Sequence, residues 1–347
     1  MLVIKMSFKL KDIAKEANVS ISAVSLVLND KPCRISEEKK ALIKKIAEDN
    51  NYTPNINARS LITKETKTFG LIIPDIENIF FSRLTKAIEN YCRQFGYTLI
   101  IVNSNDEYTQ DLNLIDLLLS RGIDGLFITI SNSAYNHQED ICSKLNKLTI
   151  PYVMIDRIFP DFDCNKVYFD NVKGAYLATK NLINHGHRRI SCIINSINSQ
   201  NSISRFEGYK KAMEEHGLSI ESDFIIEGDY HIKSGYAAGD MIIKNNTTAV
   251  FVSNDMMALG LLKRLREENI RVPEDLSIVS YDNLLNDFLI DMQITSIDQK
   301  VSELGTVACD VMLNHIQNKE LECKNICLDP ELIIKNSIKD IVYKEQP

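Results

Sequence analysis

The chain has 347 residues, more than one compact core usually holds, so two or three folding units are expected. Its composition, 44% apolar and 25% charged, is that of an ordinary globular protein and excludes a disordered chain, and the lack of any run of about 18 apolar residues excludes a helical membrane span. The net charge of −7 argues against a nucleic-acid partner until its distribution is read: residues 1–67 carry 13 Lys and Arg against 8 Asp and Glu, a net +5, which leaves −12 for the remainder. A basic head on an acidic body is the asymmetry expected when only the head meets phosphate.

The first elements are two short helices, over about 10–17 and 20–28. Ile13, Ala14 and Ala17 share one face of the first, and Val24, Val27 and Leu28 share one face of the second. Asn18-Val19-Ser20 is a tight corner between them, with Ser20 placed to cap the second helix. Two helices this short joined this closely read as a helix-turn-helix, whose second helix enters the DNA major groove. Its base-reading positions are Ile21 and Ser22, then Ser25, Leu26 and Asn29. Ser36 caps a third helix with Glu37 and Glu38 in its first turn, an inner stripe of Leu42, Ile43 and Ile46, and an exposed run of Lys39, Lys40, Lys44 and Lys45. Tyr52-Thr53-Pro54-Asn55 stops it, and Asn55 caps a short segment, 56–62, too short to hold a helix alone in water.

From Thr68 the pattern becomes repeated strand–helix units. Strands are expected at 69–74, 98–104, 125–131, 151–156, 166–170, 189–195, 223–229, 249–254, 276–282, 294–298 and 332–335. Helices are expected over about 80–95, 110–121, after Asn171, 204–216, 233–244, 256–268 and 301–317. This is an α/β body of two doubly wound halves with parallel sheets. Ligands of such sheets bind beyond the carboxyl ends of the strands, where the chain places Asp75, Asp156, Asn254 and Asp282.

The eight cysteines have no zinc spacing, and the start MLVIKMSFKLKD lacks the apolar stretch of a secretory signal, so reduced thiols in a cytoplasmic protein are expected, with either Met1 or Met6 as initiator. There is no GxxxxGK loop, no nucleophile elbow and no metal-spaced His cluster among the six histidines; the chain is not expected to be an enzyme or to hold a metal or cofactor.

Asp12-Ile13-Ala14 to Asn29, Tyr52-Thr53-Pro54-Asn55 and Ala58-Arg59-Ser60-Leu61 closely resemble the N-terminus of the lac repressor/galactose repressor family of bacterial transcription factors. The body is similar to the same family in PDIENIFF (74–81), GIDGLFI (122–128), HGHRRI (185–190), EGDYHIKSGY (227–236), SNDMMALG (253–260) and SYDN (280–283). The resemblance implies a helix-turn-helix head over 8–53, a hinge helix and linker over 54–67, and a two-lobed effector and dimerisation domain of the periplasmic-binding-protein type over 68–340. Its N-lobe would be about 68–166 and 298–325, and its C-lobe about 167–297 and 326–340.

By the same resemblance Ser20, Tyr52, Asn55, Ala58 and Leu61 join the DNA-contacting set, Leu61 as an apolar wedge in the minor groove. Arg205, Tyr230, Asn254 and Asp282 become effector contacts, with Asp75, Phe80 and Asp156 opposite them. An Arg fork, carboxylates and an aromatic face suit a polyhydroxyl ligand. The implied protein is a homodimer on double-stranded operator DNA, a repressor of a carbohydrate-utilisation operon switched by a small sugar between its lobes. The tail has no Leu heptads for a tetramerising coiled coil. A purine is less favoured, because the loop Asn198 to Ser204 lacks an extra Arg. Alternatives are a global catabolite regulator switched by a phosphorylated carrier protein, and a sugar-binding or sugar-modifying protein with an appended head. The chain departs from the family at Lys9, Ala23, Leu26, Ser280, Met292 and Lys335; Leu26, where Arg is usual, favours an A/T-richer half-site.

Overall fold

The structure is a computed structural model that describes residues 8–52, 65–195, 199–288, 292–318 and 320–341. The chain divides into two units that meet between Thr66 and Lys67. The expected hinge segment 56–62, with Asn55, Ala58 and Leu61, lies outside the described residues.

In the first unit, α1 (Leu10–Glu16), α2 (Ile21–Leu28) and α3 (Glu37–Asp49) pack around Ile13, Ala14, Ala17, Val24, Val27, Ile43, Ile46 and Ala47. Leu42, expected in the inner stripe of α3, is instead 40% exposed, and Ala47 takes the inward position one turn on from Ile43. The chain has no glycine before Gly70, yet each helix must stop sharply. Asn18, Asp30 and Asn51 supply the left-handed residue, at φ 51°, 48° and 49°. Behind them Val19, Lys31 and Tyr52 donate their N–H groups to the carbonyls of Ala14, Leu26 and Ala47, closing three helix ends in one way. Asn and Asp tolerate this conformation better than other non-glycine residues.

In the second unit, twelve strands among the described residues form two six-stranded sheets. The first contains β1 (Thr68–Ile73), β2 (Thr98–Asn103), β3 (Gly125–Ile128), β4 (Tyr152–Ile155), β5 (Asn165–Phe169) and β11 (Asn325–Leu328), in the order β11-β5-β4-β3-β1-β2. The second contains β6 (Ile190–Asn195), β7 (Ile225–Gly228), β8 (Ala249–Val252), β9 (Ser277–Asp282), β10 (Thr295–Asp298) and β12 (Glu331–Ile333), in the order β12-β10-β9-β8-β6-β7. All pairings are parallel except β12 on β10, which is antiparallel, where parallel sheets were expected. A short connection from β11 brings the chain back on the second sheet's edge in the reverse sense.

Helices cover both faces of each sheet, which is why the central strands read as continuous apolar runs. On the first sheet, α4 (Ile79–Gln94) and α11 (Val301–Gln317) share one core, and α5 (Tyr108–Ser120) and α6 (Gln138–Leu145) share the other. On the second sheet, α7 (Asn171–Asn184) and α8 (Gln200–Glu215) lie on one side, and α9 (Ile232–Asn245) and α10 (Asp255–Glu267) on the other.

The chain passes between lobes later than the sequence suggests. Residues 166–169 belong wholly to the first sheet, and so do 326–328, because β11 pairs with β5 from Asn325↔Lys166 to Leu328↔Phe169. The crossings therefore fall after Phe169, between Asp298 and Val301, and between Leu328 and Glu331. Neither β11 nor α6 was anticipated. β11 is a four-residue edge strand with alternating exposure, and α6 is an eight-residue helix behind a 3-10 turn.

Glycine sets one helix contact tightly. At Gly260 of α10 a Cβ would lie 2.0 Å from the carbonyl oxygen of Ile232, and at Gly235 of α9 a Cβ would lie 2.0 Å from that of Met257. Two backbones touch there, and neither can yield like a side chain end. Gly260→Ala is expected to destabilise the second unit by about 1–3 kcal/mol through overpacking. A denaturant midpoint unchanged from wild type would contradict this packing.

Candidate functional site

The head presents its second helix N-terminus first. Ser20 Oγ accepts the Ala23 N–H at 3.1 Å and lies 2.9 Å from Ser22 Oγ. Ile21 and Ser22 are exposed, Ile21 by 52%, although an isoleucine gains nothing from water there. Ser25 and Leu26 are half-buried on the same helix. Asn29, a candidate base reader, spends its amide on the Ser25 carbonyl at 2.7 Å. Tyr52 packs against the head's core, and burial raises its phenol's pKa. Of the lysine run, Lys39 binds the Ala17 carbonyl at 2.7 Å, while Lys40 and Lys44 pair with Glu37 and Asp30. The last two pairs are exposed, so they are weakly held and can turn to phosphate. Lys9, in place of the usual Thr cap, gives no side-chain cap; Asp12 accepts its N–H at 2.9 Å instead.

In the body, the strand ends and helix starts meet in a cleft between the two sheets. Its inner chamber is partly open and leaves about 30 Å³ for the centres of water-sized groups, lined by Phe80, Asp156, Arg205, Tyr230, Asn254 and Asp282 together with Asn78, Phe81, Arg157, Asn201 and Gln299. Asp75 lies in an adjoining outer chamber that Tyr230 also lines. All seven residues expected at the effector site from the sequence thus come to one cleft. Three of them sit in left-handed backbone: Asp156 at φ 63°, Tyr230 at 66° and Asp282 at 101°. Such non-glycine conformations cost on the order of 1–3 kcal/mol each and concentrate at binding sites.

Arg205 is 5% exposed. Its Nε donates to Asn171 Oδ1 at 2.8 Å, another guanidinium nitrogen donates to the Ser253 carbonyl, and its central carbon Cζ lies 3.8 Å from the Tyr281 ring centroid. Asp156 is 4% exposed and accepts from Asn201 Nδ2 at 3.3 Å, which ties the end of β4 in one lobe to α8 in the other. Burial raises the Asp156 pKa, against the pull of Arg205 and Arg157. Burial raises Asp282 well above the usual carboxylate range; Arg205 opposes that shift, while Asp255 and Asp156 add to it.

Asn254 has a different part from a free ligand contact. Its Oδ1 accepts from Met257 N at 2.9 Å as the cap of α10, and its Nδ2 donates to the Tyr230 carbonyl at 3.0 Å. It therefore holds Tyr230 in place. Ser280, where the family resemblance has glycine, donates to Asp255 and meets the Ser296 hydroxyl at 2.8 Å. Asp255 also accepts the Leu284 and Leu285 N–H groups, and burial pushes it to about 6.

Three residues that the sequence reading passed over complete the site. Arg157 pairs with Asp106 and lies 5.3 Å from the Phe81 ring centroid. Burial raises Asp106, but Arg157 and the Asn132 N–H outweigh it and hold the carboxyl below its ordinary value. Asn201 is the interlobe donor already described. Gln299 is fully buried, and neither end of its amide has a partner. Gln299 directly follows β10 and Arg157 directly follows Asp156, so the strand-end rule that found Asp156 could have found both. Among the described residues no group of three or more His, Cys, Asp and Glu could hold a metal, and no helix is long and apolar enough to cross a membrane.

A helix-turn-helix head before a two-lobed, cleft-bearing body defines a DNA-binding regulator with a periplasmic-binding-protein-like domain. Residues 9–55 match the family model "Bacterial regulatory proteins, lacI family", and residues 66–336 match "Periplasmic binding proteins and sugar binding domain of LacI family". The HTH-type transcriptional repressor PurR of Vibrio atlanticus (strain LGP32) is 32% identical over 335 residues, covering 96% of this chain and 99% of the relative. Among solved structures, the lac repressor dimer bound to operator and the anti-inducer ONPF superposes with a TM-score of 0.85 at 23% identity, covering 96% of this chain and 99% of that one. A LacI family transcriptional regulator from Enterococcus faecium with bound ribose gives 0.71 at 27% identity, covering 79% and 100%. The chain belongs to the lacI family of bacterial regulatory proteins, and it is a DNA-binding transcriptional repressor.

Because the Asp282 pKa is raised on folding, its contribution to stability is full below the ordinary carboxylate range and is lost as pH rises through the folded value. Asp282→Asn is therefore expected to raise the unfolding temperature of the unliganded protein at pH 7.5 and to flatten its decline between pH 5 and pH 8. Asp255 leaves a residual slope near pH 6. A pH profile parallel to wild type would contradict the assignment.

Proposed function

We propose that the protein is a dimeric repressor whose affinity for a near-palindromic operator is set by a small polyhydroxyl ligand, a sugar or sugar derivative, bound in the cleft. The observation that carries this is the Gln299 amide, buried with both its donor and its acceptor end open beside Asp156, Arg205 and Asp282. An unsatisfied buried polar group costs about 1–3 kcal/mol. A hydroxyl donates and accepts at once, so neighbouring hydroxyls of a sugar satisfy both ends. The Tyr230 and Phe80 rings offer apolar faces for the sugar's C–H side. A lac repressor dimer on operator and a family member with ribose, both similar in fold, support the dimer and the ligand class.

A second reading is a purine-related ligand. The relatives named PurR favour it, and a planar base would stack on the same rings. The Gln299 amide serves a base edge as well as a pair of hydroxyls, and it is the carboxylates Asp156 and Asp282 on the same lining that suit a polyhydroxyl better.

At the DNA, Ile21 and Leu26 offer apolar contacts of the kind made to a thymine methyl, while Ser22 and Ser25 offer short hydroxyls. Phosphate contacts from the basic head supply most of the affinity. Ligand in the cleft shifts the lobes, and the segment around Asn55, Ala58 and Leu61 transmits the change.

A thermal-shift panel of sugars and purine bases tests the reading. A true ligand at about a hundred times its Kd stabilises by about 2.7 kcal/mol. Arg205→Ala is expected to abolish the shift while non-specific DNA binding at low salt persists. A shift with guanine or hypoxanthine and with no sugar would overturn the carbohydrate reading.

A further inference from the structure

The first sheet carries a second pocket at the end away from the cleft. β4 starts at Tyr152, which lines this pocket, and ends at Ile155, after which Asp156 lines the cleft. Four residues of strand rise put about 13 Å between the two. β5 starts beside β4 at Asn165, and β11 beside β5 at Asn325, since the three strands run parallel. The pocket gathers Leu148, Ile150 and Pro151 ahead of β4, Cys323 ahead of β11, and His315 from the last turn of α11. It is partly open and leaves about 210 Å³ for the centres of water-sized groups.

One polar group on this lining is unspent. His315 is 8% exposed, and its Nδ1 lies 3.0 Å from the Val311 carbonyl one turn back on α11. A carbonyl only accepts, so Nδ1 carries the proton, and in the neutral ring Nε2 is left as an acceptor. Nε2, across the ring from the helix, is buried and has no partner. Asn165 on the same lining is already engaged, with the Tyr152 carbonyl at 3.4 Å and the Lys324 N–H at 2.9 Å. Among the described residues no Lys, Arg, Asp or Glu lines the pocket, so a charged ligand would find no counter-charge there. A buried water needs about two to four polar partners, which this lining is poorly supplied to give. Cavities of roughly 150 Å³ with aliphatic walls take up benzene, so this space suits one aromatic ring or two fused ones. The Tyr152 and His315 rings offer faces and edges for it.

We propose that this pocket is a second ligand site, separate from the cleft, for an uncharged planar aromatic molecule with one N–H or O–H donor, as indoles and phenols have. The donor meets His315 Nε2, and the ring fills the apolar space beside Ile150, Pro151 and Tyr152. The site stands whatever ligand the cleft takes.

Calorimetric titration of the full-length protein with indole, and with benzofuran as its isostere without a donor, tests the site. Indole is expected to bind about fivefold or more tighter. His315→Phe, which keeps a ring and loses the acceptor, is expected to bring indole down to the benzofuran value. Cys323→Trp, at an exposed position, is expected to exclude both. Bound indole is also expected to slow alkylation of Cys323 and to leave Cys327, which is exposed outside the pocket, at its free rate, as read by peptide mass spectrometry. Arg205→Ala, in the cleft, is expected to leave indole binding as it is. Equal affinity for indole and benzofuran would overturn the inference, as would a His315→Phe protein that still prefers indole. Absence of indole binding, or of Cys323 protection, would overturn it too. Indole binding lost in Arg205→Ala would put the probe in the cleft and have the same force.

Discussion

The body depends on one buried cation. Arg205 reaches from α8 to the ends of β8 and β9 in the second sheet, holds the Ser253 carbonyl and Asn171, and lies against Tyr281. Two carboxylates, Asp156 and Asp282, stay near it although burial works against their charge. Removing water from such a group is costly unless its charge is matched and its donors are filled. The left-handed backbone at Asp156, Tyr230 and Asp282 belongs to the same economy, since those conformations aim side chains at a shared point rather than along their strands. The cleft is thus a strained, polar place with buried polar groups that the protein itself does not satisfy. In the proposed mechanism that is its use: a ligand that fills the open amide of Gln299 favours one arrangement of the lobes over another, and only differential binding of that kind shifts an equilibrium.

The same logic separates the two ends of the chain. The head is economical in structure: three short helices, one small core, and three helix ends closed by Asn or Asp in place of glycine. Its exposed reading face is small and apolar for a DNA-binding surface, with Ile21 outermost and Leu26 where an arginine is usual in the resembled family. In the proposed mode of operator binding, sequence discrimination rests on shape, methyl contacts and the spacing of half-sites more than on bidentate hydrogen bonds.

Much of this was legible before any coordinates. Helix periodicity and the Ser20 cap gave the two-helix corner, and apolar runs ending in polar residues gave both the sheets and the cleft, because strands buried on two faces must be apolar and must end where ligands bind. What was hidden has physical reasons. β11 is an edge strand of four residues, with exposed Asn325 and Cys327 breaking its apolar run, so the lobe crossings were placed too early at 166 and 326. α6 was passed over because its apolar content is two buried residues, Ile141 and Leu145. Asn254 reads as a ligand residue by position, yet its amide is spent on the α10 cap and on Tyr230, which only the folded geometry reveals. Gln299 is the opposite case: nothing in its type marks it, and its significance lies in having no partner.

The central claim is that occupancy of the cleft sets operator affinity, with Arg205 as its anchor. The most direct measurement is the affinity of the full-length protein for a DNA duplex selected by the protein itself from a random pool, at one stated salt concentration, with and without saturating ligand, for wild type and Arg205→Ala. Ligand is expected to change the wild-type Kd by about 5–150-fold, the usual range of such couplings, and to leave that of Arg205→Ala unchanged. Equal wild-type affinities with and without a ligand that demonstrably binds the cleft would contradict it.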